Sequence, residues 1–259
     1  MNLSEAKAIK LDKVYIYLIK LGNNDVIYYK LPLYVPGEFN GRVELYKVAT
    51  LVDESHTSLS DMFYGCFFLT TINGITEWNT SNVTDMSRMF DSCRKLESLD
   101  LSNFDTSNVT TMHWMFQYCH SLTSLDLSNF DTSNVTNMSN MFWSCDNLTS
   151  LDVSSFNTSK VTDMSRMFDS CTNLISLGLS SFNTSKVTSM GDMFSGCENL
   201  ASLNLSNWDT SKVADTDNMF NGCDSLLTLR LDTCSKETIN NIAASTSFTA
   251  TITVEAKAE

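Results

Sequence analysis

A chain of 259 residues that is 42% apolar can bury a continuous core, and two Pro and nine Gly exclude a disordered or linker-rich chain. No apolar run approaches the length of a membrane span, so no membrane insertion is expected. A formal charge of −13 disfavours nucleic acid, whose binding needs cations against phosphates.

Residues 1–55 do not repeat. KVYIYLIKL (13–21) and VIYYKL (26–31) predict two strands joined by a tight turn, and RVELYKVATL (42–51) predicts a third. This stretch holds seven Lys/Arg and seven Asp/Glu, so the acidic excess lies beyond it. It reads either as a cap over the first repeat, which a stacked-repeat fold requires, or as a cap that also attaches the chain. The start, MNLSEAKAIKLDK, lacks a basic segment followed by an apolar one, so no signal peptide is expected there.

Residues 56–234 are copies of one unit. Val109 to Asn134 reads VTTMHWMFQYCHSLTSLDLSNFDTSN. Further copies open at Val83, Val135, Val161 and Val187, with a worn copy at Val213. The first copy, His56 to Asn82, is one residue longer, with Gly74 inserted in its strand. Self-similarity at a fixed 26-residue period predicts a solenoid of about seven coils.

Within a copy, Val109, Met112, Met115, Phe116 and Cys119 have helical spacing, predicting a short helix with all five inward. Asp105, Thr106, Ser107 and Thr110 stand where oxygens satisfy a helix start. Leu122, Leu125 and Leu127 then predict a strand, with Ser124 and Asp126 outward. The fold class is therefore α/β, a parallel sheet on one side and short helices on the other. Stacking turns each inward position into a ladder. One runs Phe63, Phe90, Phe116, Phe142, Phe168, Phe194 and Phe220; another runs Trp78, Phe104, Phe130, Phe156, Phe182 and Trp208. Seven of the eight Cys fall at one repeat position. Helices ~8–10 Å apart hold their Cα atoms beyond the ~7 Å limit of a disulfide, so free buried thiols are expected. Residues 235–259 form a C-terminal cap: SKETINNIAA (235–244) predicts a helix and SFTATITVEAK (247–257) a closing strand.

The pattern V-T-x-M-x-x-M-F-x-x-C-x-x-L-x-S-L-D-L-S-x-F-x-T-S resembles the 26-residue repeat of BspA-like leucine-rich-repeat surface proteins of bacteria, over residues 56–234. The resemblance implies a cell-surface adhesin without enzymatic activity, usually with an export signal and an anchor. An attachment role for the first 55 residues opens an alternative, a structural or receptor-binding component of a phage virion.

No Ser/His/Asp set, phosphate loop or metal-binding Cys/His cluster stands out, so no catalysis, metal or cofactor is expected. Two surfaces are candidate binding sites for a protein or carbohydrate partner, or for other virion proteins. On the strand side, Ser98, Asp100, Ser124, Asp126, Ser150 and Asp152 form outward rows. Carboxylates in a row on strands ~4.8 Å apart are expected to raise one another's pKa and to attract a cation or a basic partner. On the helical side, Trp114, Tyr118 and Trp143 cluster with His113 and His120 where other copies carry Arg, Ser, Asp or Asn, as an interface or as lateral packing.

Overall fold

The computed structural model describes residues 16–21, 25–30, 43–45, 52, 55–244 and 251–253. The leader reading, the turn at 22–24 and the outer parts of the third and last predicted strands lie outside these residues.

Strands β1 (Ile16–Leu21) and β2 (Asp25–Lys30) pair antiparallel, and β1 also pairs antiparallel with β3 (Val43–Leu45). β3 then pairs parallel with β4 (Leu69–Ile72), giving a sheet of order β2-β1-β3-β4. Val43 stands opposite Leu69, the repeat period itself, so β3 joins the stack as if it were the strand of a preceding copy. Gly74 does not interrupt β4. It lies beyond the strand, at φ 83°, and opens a 3-10 turn over Ile75–Glu77. Glycine has no Cβ to clash in that left-handed conformation.

Further along, β5 (Ser150–Leu151) pairs parallel with β6 (Ser176–Leu177), and β7 (Ser202–Asn204) with β8 (Thr228–Arg230). A helix, α1 (Lys236–Ala244), follows, and β9 (Thr251–Thr253) pairs parallel with β8. The strand side is thus a series of short parallel pairs, not one continuous sheet. Between β4 and β5 the chain keeps Leu96, Leu101, Leu122, Leu125 and Leu127 buried without regular strand.

The opposite side corrects the sequence expectation. It carries turns, not helices; α1 is the one α-helix among the described residues. Parallel bridges join Ser58, Asp85, Thr111, Asn137, Asp163, Ser189 and Asp215 in succession. Between bridges, amide duties alternate. The N–H groups of Trp114, Phe116 and Tyr118 donate to Ser139, Met141 and Trp143 of the next copy at 3.0, 2.9 and 2.7 Å. Those of Met115 and Cys119 donate back three residues, to Met112 and Phe116, both at 3.2 Å. Trp114 and Tyr118 take left-handed φ of 60° and 56°, and the equivalent residues of other copies do the same. A helix satisfies its interior amides within its own segment, whereas here half of them tie one copy to the next. Val109, Met112, Met115, Phe116 and Cys119 are fully buried all the same.

Successive junctions largely repeat the same bonds, an arrangement consistent with a solenoid. Rings of the Phe63-to-Phe220 ladder stack at 5.4 to 5.7 Å between centroids and within 9° of parallel. The threonines expected at helix starts act differently. Buried Thr132 donates its Oγ1 hydrogen to the carbonyl of Asn157 at 3.1 Å and accepts the Asn157 N–H at 2.8 Å. Thr80, Thr106 and Thr158 do the same one copy on. Asp105 and Asp131 accept the N–H two residues ahead, forming turns of their own.

All eight cysteines are free thiols, but not because helices hold them apart. Bridged chains lie about 4.8 Å from their neighbours, inside disulfide reach. Instead six of the seven ladder thiols are engaged: the Sγ–H of Cys145 donates to the Phe116 carbonyl at 3.1 Å, and Cys93, Cys119, Cys171, Cys197 and Cys223 repeat the bond. Desolvation raises their pKa values, that of Cys171 to about 12, which suppresses the thiolate that oxidation needs.

Candidate functional site

The two candidate surfaces lie on different segments of each copy, one in the strand segment and one in the bridged turns. On the strand side Ser98, Asp100, Ser124, Asp126, Ser150 and Asp152 are all exposed. Each Asp closes a turn: Oδ1 of Asp100, Asp126 and Asp152 accepts the N–H of Ser102, Ser128 and Ser154 at 3.0, 3.0 and 2.9 Å. Hydrogen bonding from these serines, led by the side chain at Ser102 and by the N–H at Ser128 and Ser154, holds all three carboxyls below the usual carboxylate range, overturning the expected mutual rise. The repulsion exists, since Asp126 pushes on both Asp100 and Asp152, but it is the smallest influence at each and is outweighed by the turn bonds. The row is therefore fully ionised at neutral pH. It ends at Gly178, whose surroundings leave open space for a side chain.

On the turn side the predicted residues make ring contacts in two sets, His113 with Trp114 and Tyr118 with Trp143 and His120, and others join them. Tyr118 lies 5.0 Å from Trp143 and 5.8 Å from His120, and His113 meets Trp114 edge-on at 5.5 Å. His113 Nδ1 is 2.7 Å from the Thr111 hydroxyl, and His120 Nδ1 is 2.8 Å from Asp146 Oδ2. Arg88 is inserted between Tyr64 and Trp114, at 4.1 and 5.1 Å from the two rings, while Nε holds the buried Asp91 at 3.1 Å. Arg166 covers Trp143 at 5.5 Å and pairs with Asp192 at 3.1 Å. Arg94 covers Phe67 at 5.2 Å.

Sequence reasoning missed Tyr64, Phe67 and the three arginines. The signal was present in the repeat alignment. Tyr64 occupies the position of Gln117 and Trp143, Phe67 that of Arg94 and His120, and Arg88 that of Trp114. In a stack those positions become neighbours. The rings' faces are taken up along the stack by guanidinium groups and by one another. The Trp114 indole nitrogen is itself buried without a partner. The cluster thus packs laterally: His113, Trp114, Tyr118, His120 and Trp143 are half-buried, while Tyr64 and Phe67 at its near end are exposed.

Among the described residues no three His, Cys, Asp or Glu side chains converge as a metal site. No described helix is long and apolar enough to cross a membrane.

No curated protein matches the chain. Among solved structures, a leucine-rich cell surface protein of Faecalibacterium prausnitzii A2-165 matches at 17% identity, over 80% of this chain and 78% of that one, with a TM-score of 0.24. The profile described as "Mycoplasma protein of unknown function, DUF285" matches residues 57–151 and 144–255. With most of its length matched, the chain belongs to this family.

Proposed function

We propose that the protein is a non-enzymatic recognition or adhesion protein of a bacterial surface, and that it binds a protein or carbohydrate partner through the strand side. The observation that carries this reading is the exposed, regular row of Ser and ionised Asp, each Asp fixed by its own turn bond. A fixed anionic row favours a cationic partner, by complementarity that sets specificity and encounter rate.

The test is triple replacement of Asp100, Asp126 and Asp152 by Asn. Asn keeps the side-chain oxygen that closes the turn, so the fold should survive while three charges go. Binding to immobilised basic proteins and glycans should weaken, and what remains should depend less on salt. Full-strength binding by the triple variant, with unchanged salt dependence, would refute the strand-side assignment.

The aromatic cluster is the second reading. Replacing Trp114 and Trp143 singly by Ala should each cost about 2 kcal/mol or more of binding if it is the contact surface, with salt dependence unchanged. The virion alternative draws no support from a family described from Mycoplasma.

A further inference from the structure

The sheet β2-β1-β3-β4 ends on β2, whose second edge pairs with no described strand. An unpaired edge presents a row of backbone donors and acceptors and is a template for another chain. β2 reads Asp25-Val26-Ile27-Tyr28-Tyr29-Lys30. It contains neither Pro nor Gly, and its centre consists of the β-branched and aromatic types that pair best. One charge of each sign stands at its two ends.

This sequence is self-complementary when read antiparallel. Two copies of β2 in full register place Asp25 opposite Lys30 at both ends, Val26 opposite Tyr29, and Ile27 opposite Tyr28. Every position gains a favourable cross-strand partner, either opposite charges or an aromatic against a β-branched residue. Within the chain the register sets Asp25 opposite Leu21 and Lys30 opposite Ile16 of β1. The surrounding region is also suited to self-association. Residues 1–55 are charge-balanced, so the −13 net charge that would separate two copies lies beyond them.

We infer that the protein forms a twofold homodimer through antiparallel pairing of β2 with β2 of a second copy. The result is one eight-stranded sheet joining two repeat stacks. A twofold contact is isologous and closes on itself, so it stops at the dimer. Two recognition surfaces on one particle convert a second weak contact into an intramolecular one, raising avidity.

The test is the mass of the intact chain in solution, by sedimentation or by light scattering, over a dilution series. Wild type should reach twice the 29.0 kDa of one chain. Asp25→Lys places Lys opposite Lys30 at both ends and should raise the dimer dissociation constant at least about tenfold. The double exchange Asp25→Lys with Lys30→Asp restores opposite charges in the same register and should restore the dimer. A folded wild type that stays monomeric at high concentration overturns the inference. So does an Asp25→Lys variant that dimerises as tightly as wild type, or a double exchange that behaves like the single one. No ligand enters this test, so its outcome is independent of the strand-side binding reading.

Discussion

Thr132 gives the sharpest test of how the copies are held together. Its hydroxyl bridges to the next copy twice, donating to the Asn157 carbonyl and accepting the Asn157 N–H, and its side chain is fully buried. Val has nearly the same shape and no hydroxyl. Thr132→Val therefore leaves packing intact and leaves one amide hydrogen and one carbonyl oxygen without their partner. An unsatisfied buried group costs about 1–3 kcal/mol. Asn157 is itself exposed, so water can reach part of its backbone, and roughly half of the two-group penalty applies, about 1–3 kcal/mol in total. Thr132→Ser keeps the hydroxyl, loses a methyl group and should cost about 1 kcal/mol. Denaturant unfolding gives the order wild type, Ser, Val. Amide exchange should show the Asn157 N–H losing protection in the Val variant and keeping it in the Ser variant. A Val variant as stable as wild type, or less damaging than Ser, would show that the bridge contributes nothing beyond volume.

Phe142 stacks at 5.6 Å on both Phe116 and Phe168, so Phe142→Ala should cost about 3–5 kcal/mol, with exchange protection lost mainly in adjacent copies. Alkylation of the unreduced, denatured protein should find eight free thiols. In the native protein the reaction should be slow at pH 8, since burial pushes Cys171 to about 12 and Cys234 to about 11. Acid should destabilise the repeats. Asp100, Asp105, Asp126, Asp152 and Asp209 have folded pKa values below the ordinary carboxylate value, so their contribution is present above about pH 4 and fades as pH falls through the lower folded values. Asp91 and Asp169, raised by burial, act in the opposite sense, and their stabilising contribution is lost as pH rises through their folded values. A pH titration of unfolding free energy that stayed flat between pH 5 and 2 would contradict the turn-bond explanation.

The inward residues of each copy were legible because burial leaves a periodic mark in composition. The backbone between them was not. Offsets of 0, 3, 6, 7 and 10 satisfy an α-helix and also this alternation of turns and inter-copy bonds, and hydrophobicity does not distinguish the two. Two positions did carry the distinction. Gly65, Gly196 and Gly222 stand where other copies have Ser92, Tyr118, Ser144 and Ser170, and all of these have positive φ. Asp61, Asn140, Asp192 and Asn218 share a second such position with Arg88, Trp114 and Arg166. Gly at one site and Asn or Asp at another, four residues apart, are the types that tolerate the left-handed region. A helix has no reason to select them twice in one turn-rich segment. The Asp row is exposed as its alternation with Leu implies, but spacing across strands says nothing of the Ser two positions on in each copy, whose N–H groups bond the carboxylates and outweigh their mutual repulsion.

Because each copy bonds to the next through the same alternating amides, the same Thr bridge and the same thiol-to-carbonyl contact, the interior of the stack contains no unique joint. Removing one whole copy brings two surfaces together that already match. Adding one does likewise. Length is therefore a quantity that such a gene can vary in whole steps without redesigning its core, while a gain or loss of part of a copy would put every later bond out of register. For a molecule that holds a binding surface away from where it is attached, that makes reach an inheritable dimension, adjustable separately from the chemistry of contact.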